Sequence, residues 1–122
     1  MVYQQADLDR LIGEFIERVQ KSLSVQKIVL FGSYAYGEPH DGSDIDLLVV
    51  SEDFKGMDQV ERVRLLMGIA RQLDAVVDIE MLGFTPHEYA SISPLSTLSI
   101  AKTKGRVIYP EESHASESIS RQ

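Results

Sequence analysis

Apolar residues along the chain alternate between helical and extended spacing. Over 6–23, Leu8, Leu11, Ile12, Phe15, Ile16 and Val19 recur every three or four residues, which predicts an amphipathic helix with Asp7 as its cap. Residues 27–31 (KIVLF) are too short for a helix and predict a buried strand. Gly32, Gly37, Pro39 and Gly42 make 32–43 a loop with room for one helical turn after Ser33. A second strand is expected at 44–50. A second amphipathic helix follows over 57–73, with Val60, Val63, Leu66, Met67, Ala70 and Leu73 on its inner face. A third strand is expected at 75–82. Thr85-Pro86-His87-Glu88 has the form of a helix start: Thr as cap, Pro at the first position, Glu at the third. A short helix at 94–102 and an edge strand at 106–109 complete the order. It describes an α/β domain, a small mixed sheet covered by helices.

Length and charge narrow the picture. The 122 residues suit one domain over 1–110, and the Ser/Glu-rich 111–122 predicts a disordered tail. The chain has no long apolar run, which argues against a membrane span. Its polar, acidic beginning lacks a signal-peptide pattern, and it has no Cys for disulfides or thiolate metal sites. These features fit a cytoplasmic protein. A net charge of −7 with scattered Lys and Arg argues against long nucleic acid as a partner, because no basic face is evident to displace counterions. A small nucleotide neutralised by a metal ion is compatible with that balance.

The chemistry concentrates in Val29 to Val50, "VLFGSYAYGEPHDGSDIDLLVV". Two carboxylates, Asp44 and Asp46, interrupt a segment otherwise suited to a core strand, and burying them unpaired would cost several kcal/mol each. Alternation points both to one face, roughly 6.5–7 Å apart along the strand, while Ile45, Leu47 and Val49 face the core. Two such carboxylates can share a divalent ion and help hold a second, and a bound Mg²⁺ removes their mutual repulsion. Asp78 is the expected third acid, with Glu80 on the same face as the fallback. Three converging carboxylates suit two-metal nucleotidyl transfer, one ion activating a hydroxyl and the other holding phosphates. Gly32 lets backbone approach a ligand closely, and Ser33 offers an N–H and a hydroxyl to phosphate.

Gly32-Ser33, a loop, Ser43-Asp44-Ile45-Asp46-Leu47 and a later strand Asp together resemble the nucleotidyltransferase superfamily that includes DNA polymerase beta. The short chain is similar to its minimal, antitoxin-like branch, over all but the tail. The resemblance implies a polymerase beta palm-like fold. It implies Gly32 and Ser33 in triphosphate binding, and Asp44, Asp46 and Asp78 as catalytic Mg²⁺ ligands, with two ions when nucleotide is bound. It further implies ATP as nucleotide and a helical HEPN-type partner, some members moving AMP onto a toxin tyrosine. Where many antitoxin members carry Ala-Arg-Gly, this chain has Ala35-Tyr36-Gly37. It also lacks the helical acceptor domain of larger members, so another chain or another copy must supply the acceptor surface.

Two readings follow: a nucleotidyltransferase acting on a protein hydroxyl, or a non-catalytic antitoxin module that neutralises a helical partner by covering it. A small-molecule adenylyltransferase ranks last, for want of an acceptor domain. Ordinary structural roles are expected for the remaining polar features. His40, His87 and His114 share no ligand spacing, Tyr34 and Tyr36 suit loop packing, and Lys102, Lys104 and Arg106 suit a helix C-terminus.

Overall fold

The computed structural model describes residues 4–39, 43–73 and 78–110. The tail 111–122, and with it His114, lies outside the described residues, as does His40. In chain order the elements are α1 (Gln5–Ser22), β1 (Val25–Phe31), α2 (Ser33–Tyr36), β2 (Ile45–Ser51), a 3₁₀ turn (Glu52–Phe54), α3 (Gln59–Ala70), β3 (Ile79–Phe84), α4 (Pro86–Ala90), α5 (Ser99–Lys104) and β4 (Arg106–Tyr109). The four strands form one mixed sheet in the order β3-β2-β1-β4. β1 pairs antiparallel with β2 and β4, whereas β2 and β3 run parallel with α3 as the crossover. A parallel pair needs such a crossover, and here the helix covers one face of the sheet.

The main core lies on that face. Leu8, Leu11, Ile12, Phe15 and Val19 of α1 and Leu66 and Ile69 of α3 pack on Ile28, Leu30, Ile45, Leu47, Val49 and Met81, with Phe54 from the 3₁₀ turn. The opposite face has a thinner cover: Val29, Leu48 and Val50 meet Ala101 of α5, with Phe31, Phe84, Tyr89 and Val107 around them. Alternation therefore divides β2 as expected, odd-numbered residues into the main core and even-numbered ones toward the thin side.

Three boundaries depart from the sequence pattern. α1 starts at Gln5 with Gln4 as cap and no side-chain cap bond, which leaves Asp7 inside the first turn, where its charge suits the helix N-terminus. β3 begins at Ile79, four residues later than expected, and 74–77 lie outside the described residues. α5 begins at Ser99 rather than 94. α4 starts as its sequence predicts, with Thr85 and Glu88 forming a reciprocal capping box.

The expected inner face of α3 holds at Leu66 and Leu73, in the core, and at Met67 and Ala70, packed against it, and needs correction at Val60 and Val63. Arg62, Leu66 and Ile69 are the buried positions, while Val60 is 63% exposed and Val63 and Met67 are only half-buried. The helix is apolar on two sides, so periodicity alone cannot select the inner one. Arg62 is tolerated inside because its guanidinium donates to Glu88 at 2.6 and 3.1 Å and to the Gly83 carbonyl at 3.0 Å, and lies 5.6 Å from the centre of the Phe54 ring. That pair ties α3 to the start of α4.

Candidate active site

The Gly32-Ser33 turn leaves the C-terminal end of β1. Gly32 has φ 76° and ψ −160°, a conformation essentially confined to glycine, and a Cβ added there would run into Oδ2 of Asp46. The turn thus lies directly on the second acid of the Asp-Ile-Asp motif. The same proximity appears in the sheet register, where Phe31 is paired with Asp46. The single helical turn expected after Ser33 is present as α2, closed by Ala35 and Tyr36 N–H bonds to the Gly32 carbonyl at 2.9 and 3.1 Å. Tyr34 packs against the main core, and Tyr36 is 45% exposed.

Asp46 occupies β2, whereas Asp44 stands just before the strand begins. Asp46 shares a face with Leu48 and Val50, so this side of β2 changes from carboxylate at its start to aliphatic further on. That division resolves the apparent conflict of acids in a core strand. The odd-numbered residues face the packed core, and the acids sit at the open end of the thin side.

The parallel register sets Ile45 beside Ile79 and Asp46 beside Glu80. Asp78 stands one step before β3, and its carbonyl accepts the Ile45 N–H at 2.9 Å, which places it level with the Asp44–Ile45 step. Both sequence candidates on the third strand are therefore brought to the motif. Glu80 is the register partner of Asp46, and Asp78 enters from the strand end. Among the described residues no ion pair involves Asp78.

Electrostatics reflect this crowding. The Asp46 carboxyl is pushed up to about 6, first by burial and then by the charges of Glu80 and Asp44. Glu80 is also raised, chiefly by a hydrogen bond with the Asp44 side chain, then by Asp44's charge, burial and Asp78's charge. Among the described residues no three carboxylate or imidazole groups close around one point, so the acids line a patch rather than a finished cage. The chemistry of the donors fits a hard divalent cation, because they are all oxygen ligands and carry more charge than the local surroundings neutralise.

Sequence reading missed the Arg62–Glu88 pair, which lies beside the Gly83–Phe84 end of β3, away from the acids. Its sequence signal is weak, because Arg62 is one of two arginines in α3 and nothing local marks it as the buried one. The basic run behaves as expected: Lys102 and Lys104 stand in the last turn of α5. Lys102 and Lys27 also approach the Tyr89 ring, 5.2 and 5.3 Å from its centre.

Comparison with known proteins agrees with the fold. The protein adenylyltransferase MntA of Shewanella oneidensis is 36% identical over 76 residues, which cover 62% of this chain and 51% of that protein. The chain thus matches about half of that relative's length. A crystal structure of a protein from Sulfolobus solfataricus, provisionally named a nucleotidyltransferase, has the same fold. It superposes with a TM-score of 0.61 at 21% identity, covering 85% of this chain and 81% of that one. The structure of a toxin-antitoxin with AMP-PNP has a chain that superposes with a TM-score of 0.53 at 23% identity, covering 89% and 84%. The family described as "Nucleotidyltransferase domain" matches residues 9–102, a span that holds the Gly-Ser turn, both motif acids and both third-strand acids. On that match, the chain belongs to the nucleotidyltransferase domain family.

Proposed function

We propose that the chain is a Mg²⁺-dependent nucleotidyltransferase that moves AMP from ATP onto a hydroxyl of a partner protein, of the helical HEPN type. The observation that carries this reading is the contact of the Gly32 turn with Asp46 at the end of the sheet lined by Asp44, Asp78 and Glu80. Nucleotidyl transfer needs triphosphate and metal held side by side, and this arrangement sets a phosphate-compatible turn against a group of carboxylates. The Shewanella relative is named for adenylyl transfer to protein, and the toxin-antitoxin of the same fold was solved with an ATP analogue.

Asp44, Asp46 and Asp78 would hold the metal ions. When bound, the metal neutralises phosphate charge and lowers the pKa of a coordinated hydroxyl. Gly32 admits the triphosphate close to the backbone, and Ser33 offers its N–H and hydroxyl to a phosphate oxygen. Burial and the charges of Glu80 and Asp44 raise the Asp46 carboxyl to about 6, and a bound cation would favour its ionised form. The site is open on the thin side of the sheet, and the acceptor hydroxyl enters from another chain.

The test uses ATP labelled at the α-phosphate or at the γ-phosphate, incubated with the chain and a HEPN-type protein in Mg²⁺. Adenylyl transfer puts only the α-label on protein, and Asp44→Asn abolishes it. Label arriving from the γ-position, or undiminished transfer by Asp44→Asn, contradicts the assignment. A tight complex that forms without nucleotide and equally well with Asp44→Asn, with no transfer of label, would instead establish the non-catalytic antitoxin.

A further inference from the structure

The face of α3 turned away from the acidic patch carries Val60, which is 63% exposed, and half-buried Val63 and Met67, the last also packed against the edge of the core. Val60, Val63 and Met67 form an apolar row along it and, with Gln59, Arg64 and Arg71, line a groove of about 430 Å³. In heptad terms Val60 and Met67 are a positions, Val63 and Ala70 d positions, and Arg64 and Arg71 both e positions. Leu66, at g, is fully buried in the chain's own core. Among the described residues neither Arg64 nor Arg71 has a carboxylate partner. A cationic apolar strip on a chain of net charge −7 runs against the average surface, and charges at e select the sign of what packs beside them.

We propose that this face docks one α-helix of a different protein, with an aliphatic contact row and flanking carboxylates seven residues apart. Arg64 and Arg71 have that spacing, about 10.5 Å or two turns along the axis, so one heptad-spaced pair of acids meets both. A second copy of this chain does not fit. Antiparallel two-fold packing sets e against e, guanidinium against guanidinium, and parallel packing needs the g side, where Leu66 is already inside. Docking here leaves the carboxylates open, because α3 covers the sheet face opposite Asp46 and Glu80. α3 runs from Gln59, bonded to Gly83, back to the end of the sheet where Asp78 enters. A protein held in the groove therefore has its neighbouring residues near the acidic patch. The inference deepens the proposed function and rests on it for the docked protein's role as acceptor, while the docking itself is measured separately.

The probe is a stapled, monomeric three-heptad helix with Leu at a and d and Glu at the flanking positions, compared with the same helix carrying Lys for Glu. Fluorescence anisotropy with the full chain is expected to show roughly tenfold tighter binding of the Glu helix. The double substitution Arg64→Glu and Arg71→Glu reverses that preference, and Met67→Asp weakens both helices. Circular dichroism and ATP titration verify that these variants keep the fold and the nucleotide site. Equal binding of the two helices, or none, overturns the proposal. So does a dimer in sedimentation that Met67→Asp dissociates, since the face would then belong to a second copy. Retained helix docking without any Mg²⁺-dependent ATP binding refutes the nucleotidyltransferase reading and leaves the docking surface standing.

Discussion

Gly32→Ala tests the junction between the turn and the motif, because its cost separates into two parts. The first is conformational. An L-residue at φ 76° and ψ −160° occupies a region costing on the order of 1–3 kcal/mol. The second is steric. The new Cβ meets Asp46 Oδ2, and displacing that side chain from its partly buried place adds about 1 kcal/mol or more. The sum, roughly 2–4 kcal/mol, corresponds to a fall in Tm of about 8–16 °C for a domain of this size. In an Asp46→Ala background the steric part vanishes and only the conformational part remains, so the two substitutions couple. Thermal unfolding followed by circular dichroism, on the four proteins of the cycle, measures that coupling. A Gly32→Ala protein melting within about 2 °C of the parent, or costs that simply add, would refute the close packing of the turn on Asp46.

Other expectations follow from the charged groups. Glu88 is held at about 2 by its hydrogen bond from Arg62, the backbone N–H of Thr85 and the Arg62 charge, against a usual 4.5. A depressed pKa gives stability that is present above the unfolded value and lost as pH falls from about 4.5 toward 2. Urea melts across that window should show a shallower slope in Glu88→Gln than in the parent, and an unchanged slope contradicts the pairing. Asp46 has the opposite sign. Its folded pKa of about 6 lies above the usual 3.8, so its contribution is full below 3.8 and lost as pH rises through 6. Mg²⁺ binding should therefore release a proton near pH 6, seen as a buffer-dependent heat in calorimetry, and a buffer-independent heat contradicts it. Glu80→Gln removes the larger of the two charges acting on Asp46 and should move its titration, followed by carboxyl carbon NMR, downward toward the ordinary range. Truncating the cap with Thr85→Ala should cost about 1 kcal/mol in chemical denaturation, and a neutral result would mean the capping box is not formed in solution.

Much of this architecture is legible in the chain because its signals are local. The KIVLF run, the Gly-Ser turn and the Asp-Ile-Asp strand are each defined by neighbours in sequence, and β1, α2 and β2 lie close to where those residues place them. The Thr-Pro-His-Glu start of α4 is equally local. What failed needed information from elsewhere in the fold. The inner face of α3 depends on Glu88 and the Gly83 carbonyl, which make Arg62 a buried residue and turn Val60 outward. The relative standing of Asp78 and Glu80 depends on the register of two strands separated by a helix, and alternation within one strand places both on the same face without saying which meets Asp46. The parallel ladder pairs Glu80 with Asp46 and leaves Asp78 at the strand entrance. Several of these acids are exposed or half-buried, so their role is visible in charge and position more than in packing.

The central claim is that the Gly-Ser turn and the carboxylates beside it form one metal-dependent nucleotide site. Calorimetric titration of ATP and GTP into the pure chain, in Mg²⁺ and in EDTA, tests it most directly. ATP binding is expected to require Mg²⁺ and to be lost in Asp46→Asn while the melting temperature holds or rises. Binding that is equal in EDTA, or unchanged by Asp46→Asn, would contradict it.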